Sequence, residues 1–230
     1  MNYKSLFKIT TYTLTTFLLS GTMTNLSAQT QSEVITVVNH DANQENDIRI
    51  LPVNYIGLSG GFAWLTNEII LDNNKKLNKT PTGYNMGLEY THLWKLKKAY
   101  RPFYLGLAFN ALFNRATVGI PRNGANDANI VIMNYYIGTG CKTAYKTNKG
   151  FIWHSMITLG FAKTDDDFES ASGFGIYSEI GCDYMIGKHW ALGATIGNIS
   201  SYYPKPQNWP SDIRHGIDYN GVHFKMGYFF

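Results

Sequence analysis

The chain has 230 residues, a formal net charge of +4 and 44% hydrophobic residues. This length suits one domain, and the scattered lysines form no basic helix of the kind that binds nucleic acid. After Gln29 there is no apolar run of about 18 residues, which excludes a membrane protein built from helices. We expect neither a nucleic-acid partner nor a cofactor.

The first 28 residues have the composition of a secretory signal peptide. Lys4 and Lys8 supply positive charge, residues 9–19 form a short apolar stretch, and Leu26-Ser27-Ala28 offers a small-residue cleavage site. An anchor helix is the alternative, but this stretch is short for a bilayer and is interrupted by threonines. Residues 29–51 are mostly polar, and we expect them to form a flexible periplasmic leader.

Residues 52–230 repeat one pattern, in which about ten alternating residues are followed by turn residues, as in membrane-spanning β-strands. The predicted strands are 53–65, 83–94, 102–114, 130–144, 150–162, 173–186, 189–198 and a last strand that closes the chain. The predicted long connections are 66–82, 115–129, 163–172 and 199–217, and the short ones are 95–101, 145–149 and 187–188. The pattern predicts an all-β fold, an eight-stranded antiparallel up-and-down transmembrane β-barrel.

Glycines and aromatic residues occupy opposite faces of these strands, because successive side chains of a strand alternate between faces. Nearly all strand glycines share one parity, with Gly60 as the exception, and the other parity carries the large apolar side chains. An eight-stranded barrel is only wide enough inside for side chains, so the glycine face is predicted to point inward. A soluble lipocalin-like barrel or β-sandwich is the alternative, and it would need an apolar interior.

The last strand shows this alternation clearly and ends in an aromatic residue. Its large apolar residues are Val222, Phe224, Met226, Tyr228 and Phe230. A terminal Phe on such a strand resembles the assembly signal of bacterial outer-membrane barrels. That resemblance implies recognition of Phe224, Met226, Tyr228 and Phe230 by the barrel-assembly machinery.

The segment 181–193 (GCDYMIGKHWALG) reads as strand, tight turn and strand. With it, the strands from Pro52 to Phe230 resemble the small OmpA-like or porin-family barrel domains of the outer membrane. The Asn- and Lys-rich loops are similar to barrels from Bacteroidetes. The resemblance implies a location in the bacterial outer membrane, contact with its lipid and lipopolysaccharide, and loops exposed at the cell surface.

Polar residues of both charge signs share the inward parity. The predicted interior network consists of Glu89, Asn110, Asn134, Lys142, His154, Glu179, Asp183, His223 and Lys225. An unpaired buried carboxylate costs several kcal/mol or becomes protonated, so these groups are expected to pair. They either neutralise one another and plug the barrel, or they line a narrow conduit.

The loops carry the other candidate sites. Tyr202, Tyr203 and Trp209 lie in a proline-rich stretch, and rigid aromatic side chains in loops favour recognition of an extracellular ligand or host surface. The alternative is a loop that folds back over the barrel mouth. The cluster Asp165-Asp166-Asp167 is either a solvated charge run or a Ca²⁺ site, although it lacks the spacing of an EF-hand loop.

Catalytic and metal sites are not expected. The deacylase type of outer-membrane barrel carries a His-x-Ser motif, whereas His154 and Ser155 are adjacent and so point to opposite faces. Proton transfer needs about 3 Å between heavy atoms, which this spacing does not provide. Cys141 and Cys182 are predicted free thiols. One strand lies between the two strands that carry them, and two intervals of about 4.8 Å exceed the Cα separation that a disulfide tolerates. The predicted role is structural or surface recognition, with a conduit and then a lipid-modifying enzyme as alternatives.

Overall fold

The computed structural model describes residues 51–66, 80–96, 103–120, 128–166, 170–204 and 216–230. They contain strands β1 (Asn54–Leu65), β2 (Thr82–Lys95), β3 (Phe103–Ile120), β4 (Ala128–Lys146), β5 (Phe151–Asp166), β6 (Ser170–Ile186), β7 (Trp190–Tyr202) and β8 (Gly216–Phe229). Each strand pairs antiparallel with the next, and β8 pairs with β1, so the sheet is a closed barrel. This confirms the predicted fold. The predicted signal peptide and residues 29–50 of the leader lie outside the described residues.

The strand register shows that the barrel is staggered. Followed from Trp64 through the other seven strands, the paired residues return to β1 at Asn54, ten residues earlier. A closed barrel with such a stagger has strands tilted by about 40° from its axis. No helix in the described part of the chain is both long and apolar enough to cross a membrane.

The two ends of the barrel differ in their connections. The end at which β1 begins and β8 ends, here called the terminal rim, also carries the turns 147–150 and 187–189. In those turns Gly150 (φ 87°) and Gly187 (φ 70°) adopt the left-handed conformation that glycine tolerates best. The opposite end, here called the loop rim, carries the connections 66–81, 121–127, 167–169 and 203–215.

Two of the predicted long connections are much shorter than expected. Strands β3 and β4 continue to Ile120 and from Ala128, and β5 and β6 leave only residues 167–169 between them. Inward and outward side chains still alternate beyond residue 114: Ala116 is buried and Thr117 is exposed. The outward residue there is polar rather than apolar. The predicted strand ends, which followed the apolar alternation, were therefore too early. Strand pairing extends past the apolar part of the outer face.

The predicted faces are confirmed. Large apolar side chains point outward and stay exposed, for example Phe62 at 71% and Ile137 at 68%. Gly60 is the predicted exception: it lies on the outward parity of β1, beside the exposed Phe62. Cys141 on β4 and Cys182 on β6 are free, as expected. The barrel is thus apolar outside and filled by small, polar and aromatic side chains inside.

Candidate functional site

The interior at mid-height is the candidate site, because the charged residues meet there. All nine residues of the predicted interior network are at most 6% exposed. All nine side chains therefore lie inside the barrel. The structure joins six of them, Glu89, Lys142, His154, Glu179, Asp183 and Lys225, into one cluster that we call the charge network.

Glu89 on β2 holds one half of the charge network. Its Oε1 accepts hydrogen bonds from Lys142 Nζ at 2.5 Å and from Thr91 Oγ1 at 2.6 Å. Its Oε2 accepts a hydrogen bond from Lys225 Nζ at 2.8 Å. One carboxylate thus pairs with two ammonium groups from β4 and β8, which ties three strands together across the barrel. Charge-assisted bonds of this kind are the stronger class of hydrogen bond.

Glu179 on β6 completes the other half. Lys225 Nζ donates to Glu179 Oε1 at 2.6 Å, and Tyr177 Oη donates to Glu179 Oε2 at 2.7 Å. His154 lies between two carboxylates, with Nδ1 3.7 Å from Glu179 and Nε2 3.3 Å from Asp183. The network therefore contains two lysines, three carboxylates and one histidine between two of those carboxylates. Its charges face one another inside the barrel.

The interior on the terminal side of the charge network is closed by apolar packing. Leu51, Tyr55, Leu93, Tyr104, Ala144, Ile152, Met185, Ala191 and Phe229 form a buried group that we call the terminal cluster. Lys142 Nζ lies 4.5 Å from the centre of the Tyr55 ring, a cation–π distance, so this cluster contacts the charge network directly. A cavity of about 10 Å³ between them, lined by Thr91, His154 and Asp183 among others, has room for about one water molecule.

Leu51 differs from its predicted place in the flexible leader. Its side chain is 2% exposed inside the barrel, and its backbone N–H donates to Tyr104 Oη at 2.8 Å. Residues 29–51 were assigned to the leader because they are mostly polar. A single apolar residue at the end of this segment did not indicate that it belongs to the barrel. The barrel interior therefore begins one residue before the predicted boundary.

The loop side is closed by a second apolar group. Tyr136, Tyr177, Tyr203 and Tyr219, here called the tyrosine cluster, pack with Leu65, Leu112, Met156 and Ile199 and with inward alanines. Tyr219 Oη donates to the backbone carbonyl of Ile132 at 3.1 Å, and Asn134 Nδ2 donates to Tyr203 Oη at 2.9 Å. These bonds connect β4 with β8 and with the end of β7, so the tyrosines cross the interior.

Glycines provide the space for these rings. A Cβ added at Gly57 or Gly227 would overlap the ring of Tyr55, and one added at Gly138 would overlap Tyr136. This explains in packing terms why the inward parity is rich in glycine. Tyr55, Tyr136 and Tyr177 were missed as plug residues, although their inward parity could have revealed them.

Three predicted network members stand outside the charge network. Asn134 bonds to Ser201 and Tyr203, His223 stacks on Tyr177 with ring centroids 6.5 Å apart, and Asn110 is paired in register with Glu89. No protein partner lies within hydrogen-bond distance of either Asn110 amide atom in the described part of the chain. Parity placed these residues inside correctly, but it carried no information on which of them meet.

The predicted loop sites are placed as follows. Tyr202 is exposed at 40%, but Tyr203 is only 6% exposed and points into the barrel, unlike an exposed recognition residue. The reason is parity, since Tyr203 directly follows the outward Tyr202 at the end of β7. Asp165 pairs with Lys163 at 3.0 Å. The described residues do not include Trp209, Asp167 or the side chain of Asp166. Among the residues that are described, no group of three or more His, Cys, Asp or Glu side chains could hold a metal ion.

This chain is similar in fold to solved structures that share little of its sequence. The Ail attachment invasion locus protein of Yersinia pestis shares 14% identity over 79% of this chain and 100% of its own, with a TM-score of 0.43. Neisserial surface protein A shares 10% over 77% of this chain and 97% of its own (TM-score 0.49), and the outer membrane enzyme PagL shares 10% over 75% and 97% (TM-score 0.38). No family model and no curated protein matches this chain.

Proposed function

We propose that this protein is an integral outer-membrane β-barrel with a plugged interior, whose role is structural or surface recognition through its loops and is not enzymatic. The observation that carries this proposal is the inverted arrangement of the barrel. Its outer face is apolar and its interior holds paired charges. Such a molecule is stable where lipid surrounds it and where every backbone group of the closed sheet is paired internally.

The height of the apolar face fits a bilayer. On β7 the outward Trp190 and Tyr202 are twelve residues apart. At about 3.3 Å per residue and a tilt of about 40° they are separated by about 30 Å along the barrel axis. A transmembrane barrel has an apolar band about 25 Å tall between two aromatic girdles. Exposed aromatic side chains near the two rims supply such girdles: Trp94, Phe151, Trp153, Tyr184, Trp190 and Phe230 at one end, and Tyr84, Phe161, Phe174 and Tyr202 at the other.

The proposed orientation places the terminal rim in the periplasm and the loop rim at the cell surface. Outer-membrane barrels have short periplasmic turns and longer external loops, and the longest connections here, 66–81 and 203–215, are both at the loop rim. In this orientation the loops meet lipopolysaccharide and an extracellular ligand or host surface. The outward side chains of the C-terminal strand, Phe224, Met226, Tyr228 and Phe230, are the proposed contact for the barrel-assembly machinery.

The side-chain geometry favours a role other than catalysis. His154 points inward between carboxylates, whereas Ser155 points outward and shares a hydrogen bond of 2.8 Å with Thr143. On the outer face His92 Nδ1 lies 2.9 Å from Asn54 Oδ1, and the His92 ring packs against Trp94. A His base and a Ser nucleophile within proton-transfer distance, as lipid deacylation requires, are therefore not assembled by these residues.

A narrow conduit is the second candidate, because charged residues line the interior at mid-height. Planar-bilayer recording separates the two. The purified barrel is expected to give no steady single-channel steps, with a wide porin in the same bilayer as positive control. Steady steps from the folded barrel would contradict the plugged interior and support the conduit.

Location and orientation are tested in cells. In a variant with Cys141 and Cys182 replaced by alanine, Trp209→Cys at the proposed surface and Lys149→Cys at the terminal rim form a matched pair. We expect recovery in the outer-membrane fraction, heat-modifiable migration, and labelling of intact cells by a membrane-impermeant maleimide only at position 209. Recovery in the soluble periplasm would overturn the proposal, and labelling at 149 alone would reverse the orientation.

A further inference from the structure

The outer face of β6, β7 and β8 carries a row of polar side chains inside the apolar surface. Ser178, Asn198 and Asn220 are paired in register on these three strands and all lie on the outward parity. Ser200 lies next to them on β7. We call these four residues the outer polar row. It is distinct from the interior charge network, which lies on the opposite parity.

On β6 and β7 the outer polar row lies within the apolar band rather than at its edge. On β7 the exposed Ile196 lies below Asn198 and the exposed Tyr202 lies above it. Tyr202 is four residues beyond Asn198, which corresponds to about 10 Å along the barrel axis. On β6 the exposed Phe174 and Ile180 flank Ser178 in the same way. On these two strands the row therefore has apolar side chains above and below it, whereas on β8 the next outward residue toward the loop rim is Asp218.

The hydrogen bonds within the row leave donors unused. Asn198 Nδ2 donates to Asn220 Oδ1 at 2.8 Å and to the backbone carbonyl of Tyr219 at 3.3 Å. Ser200 Oγ donates to Asn198 Oδ1 at 3.3 Å. The amide nitrogen of Asn220 has no acceptor within hydrogen-bond distance in the described chain. Acyl chains offer no acceptor either, so an amide turned toward them loses its hydrogen bonds with water at a cost.

We propose that the outer polar row is the centre of an interface with a second copy of this chain in the membrane. The proposal rests on the membrane insertion proposed above. The row carries donors, at Asn220, and acceptors, at Asn198 and Ser178, so it is complementary to itself. Two barrels in one membrane share its normal, and a two-fold axis parallel to that normal beside β7 makes the two tilted rows cross at Asn198 as an isologous contact.

Two further features of this face favour a protein neighbour. Below the row, Cys182 and Ala194 are paired in register and are small, and small residues let two membrane-embedded backbones approach closely. Polar side chains that bond across the contact are the second feature of membrane-embedded interfaces. In contrast, the outward positions along the middle of β2 are held by Met86, Leu88 and Tyr90, which suit acyl chains.

Disulfide crosslinking in outer-membrane fractions tests the interface. In the background with Cys141 and Cys182 replaced by alanine, Ala194→Cys places a thiol on β7 beside the proposed axis. Ala111→Cys is the control, since it is also a small outward residue but lies on β3, four strands away around the barrel. With a membrane-permeant oxidant, we expect a crosslinked dimer from position 194 and none from position 111.

The polar side chains are tested in the same assay. Adding Asn198→Leu and Asn220→Leu is expected to abolish the crosslink at position 194, while heat-modifiable migration shows that the barrel still folds. If that pair prevents folding, Asn220→Ala alone keeps the bond from Asn198 to Tyr219 and is expected to reduce the crosslink. Equal crosslinking at 194 and 111, none at 194, or a crosslink unaffected by these substitutions would overturn the interface. Absence from the outer-membrane fraction would instead overturn the proposed location.

Discussion

The two halves of the barrel interior are closed by different means. Toward the terminal rim, charged side chains pair at mid-height above an apolar cluster that includes Leu51. Toward the loop rim, the closure is neutral and consists mainly of tyrosine rings whose hydroxyl groups bond across the barrel. Opposite charges determine which strands meet, and the loss of one charged partner strongly destabilises the fold. Ring packing instead distributes the stabilisation over many contacts. The halves should therefore respond very differently to single substitutions.

The largest effect is expected from Glu89→Gln. This change leaves Lys142 and Lys225 buried with one fewer carboxylate, and removing one member of a buried ion pair costs about 3–5 kcal/mol. The free energy of unfolding, measured by urea titration in lipid vesicles, should fall by that amount. Asp165→Asn removes the carboxylate of a partly exposed pair and should change it far less. Similar losses for the two variants would show that the charge network contributes no more than a surface pair.

A smaller loss is expected where a methyl group is forced against a buried ring. The Cβ of Gly227→Ala would overlap the ring of Tyr55, and overpacking of this kind costs about 1–3 kcal/mol. Gly138→Ala makes the matching test in the loop half, against Tyr136. Gly60→Ala is the control, because its Cβ meets only a backbone oxygen at 3.7 Å. Unchanged unfolding free energies at 138 and 227 would mean that the rings move aside freely.

The fold was predictable from the sequence because alternation and barrel width act on every strand. Glycine faces inward where Tyr55 and Tyr136 need space, and the large apolar Phe62 and Ile137 face outward. The candidate site was predictable only in part. Parity placed Glu89 and Asn134 inside, but which side chains meet depends on register and stagger. A shift of two residues keeps the parity and changes every partner, so the sequence pattern alone could not assign the bonds.

The ends of the barrel were the least predictable part. Leu51 was assigned to the leader and Tyr203 to an exposed set, yet both are buried at the two ends of the interior. Each lies next to a strand end. The alternation of inward and outward residues stops there, so it no longer predicts the direction of a side chain. Their burial depends on the space that the opposite wall leaves, which is a property of the closed barrel. Both errors concern closure of the interior, and both residues can be tested directly.

Leu51→Ala tests closure at the terminal rim. It removes most of a side chain that is 2% exposed in the terminal cluster, for which about 2 kcal/mol is expected at the low end of the range for buried leucines, because the site is at the barrel end. Val53→Ala is the control, since Val53 is 47% exposed two residues later. The measurement is again the free energy of unfolding in vesicles. Equal effects of the two changes would indicate that Leu51 is not held inside the barrel.

Tyr203→Phe tests closure at the loop rim and should have the smallest effect. The ring remains in the tyrosine cluster, but Asn134 Nδ2 loses the hydroxyl that accepts its bond at 2.9 Å. The hydroxyl also bonds to Ser201 and Thr164. Asn134 and Ser201 keep their bond to each other at 3.2 Å and Thr164 keeps its bond to the Met133 carbonyl, so the loss is expected to be about 1 kcal/mol, the net value of a typical hydrogen bond. Tyr135→Phe is a suitable control, because within the described ranges the hydroxyl of this outward residue contacts only Met133 Sδ, at 3.6 Å. If Tyr203→Phe were as costly as Glu89→Gln, the loop half would depend on polar bonds as strongly as the charged half. If it had no effect while Tyr203→Ala did, ring packing alone would close the loop rim.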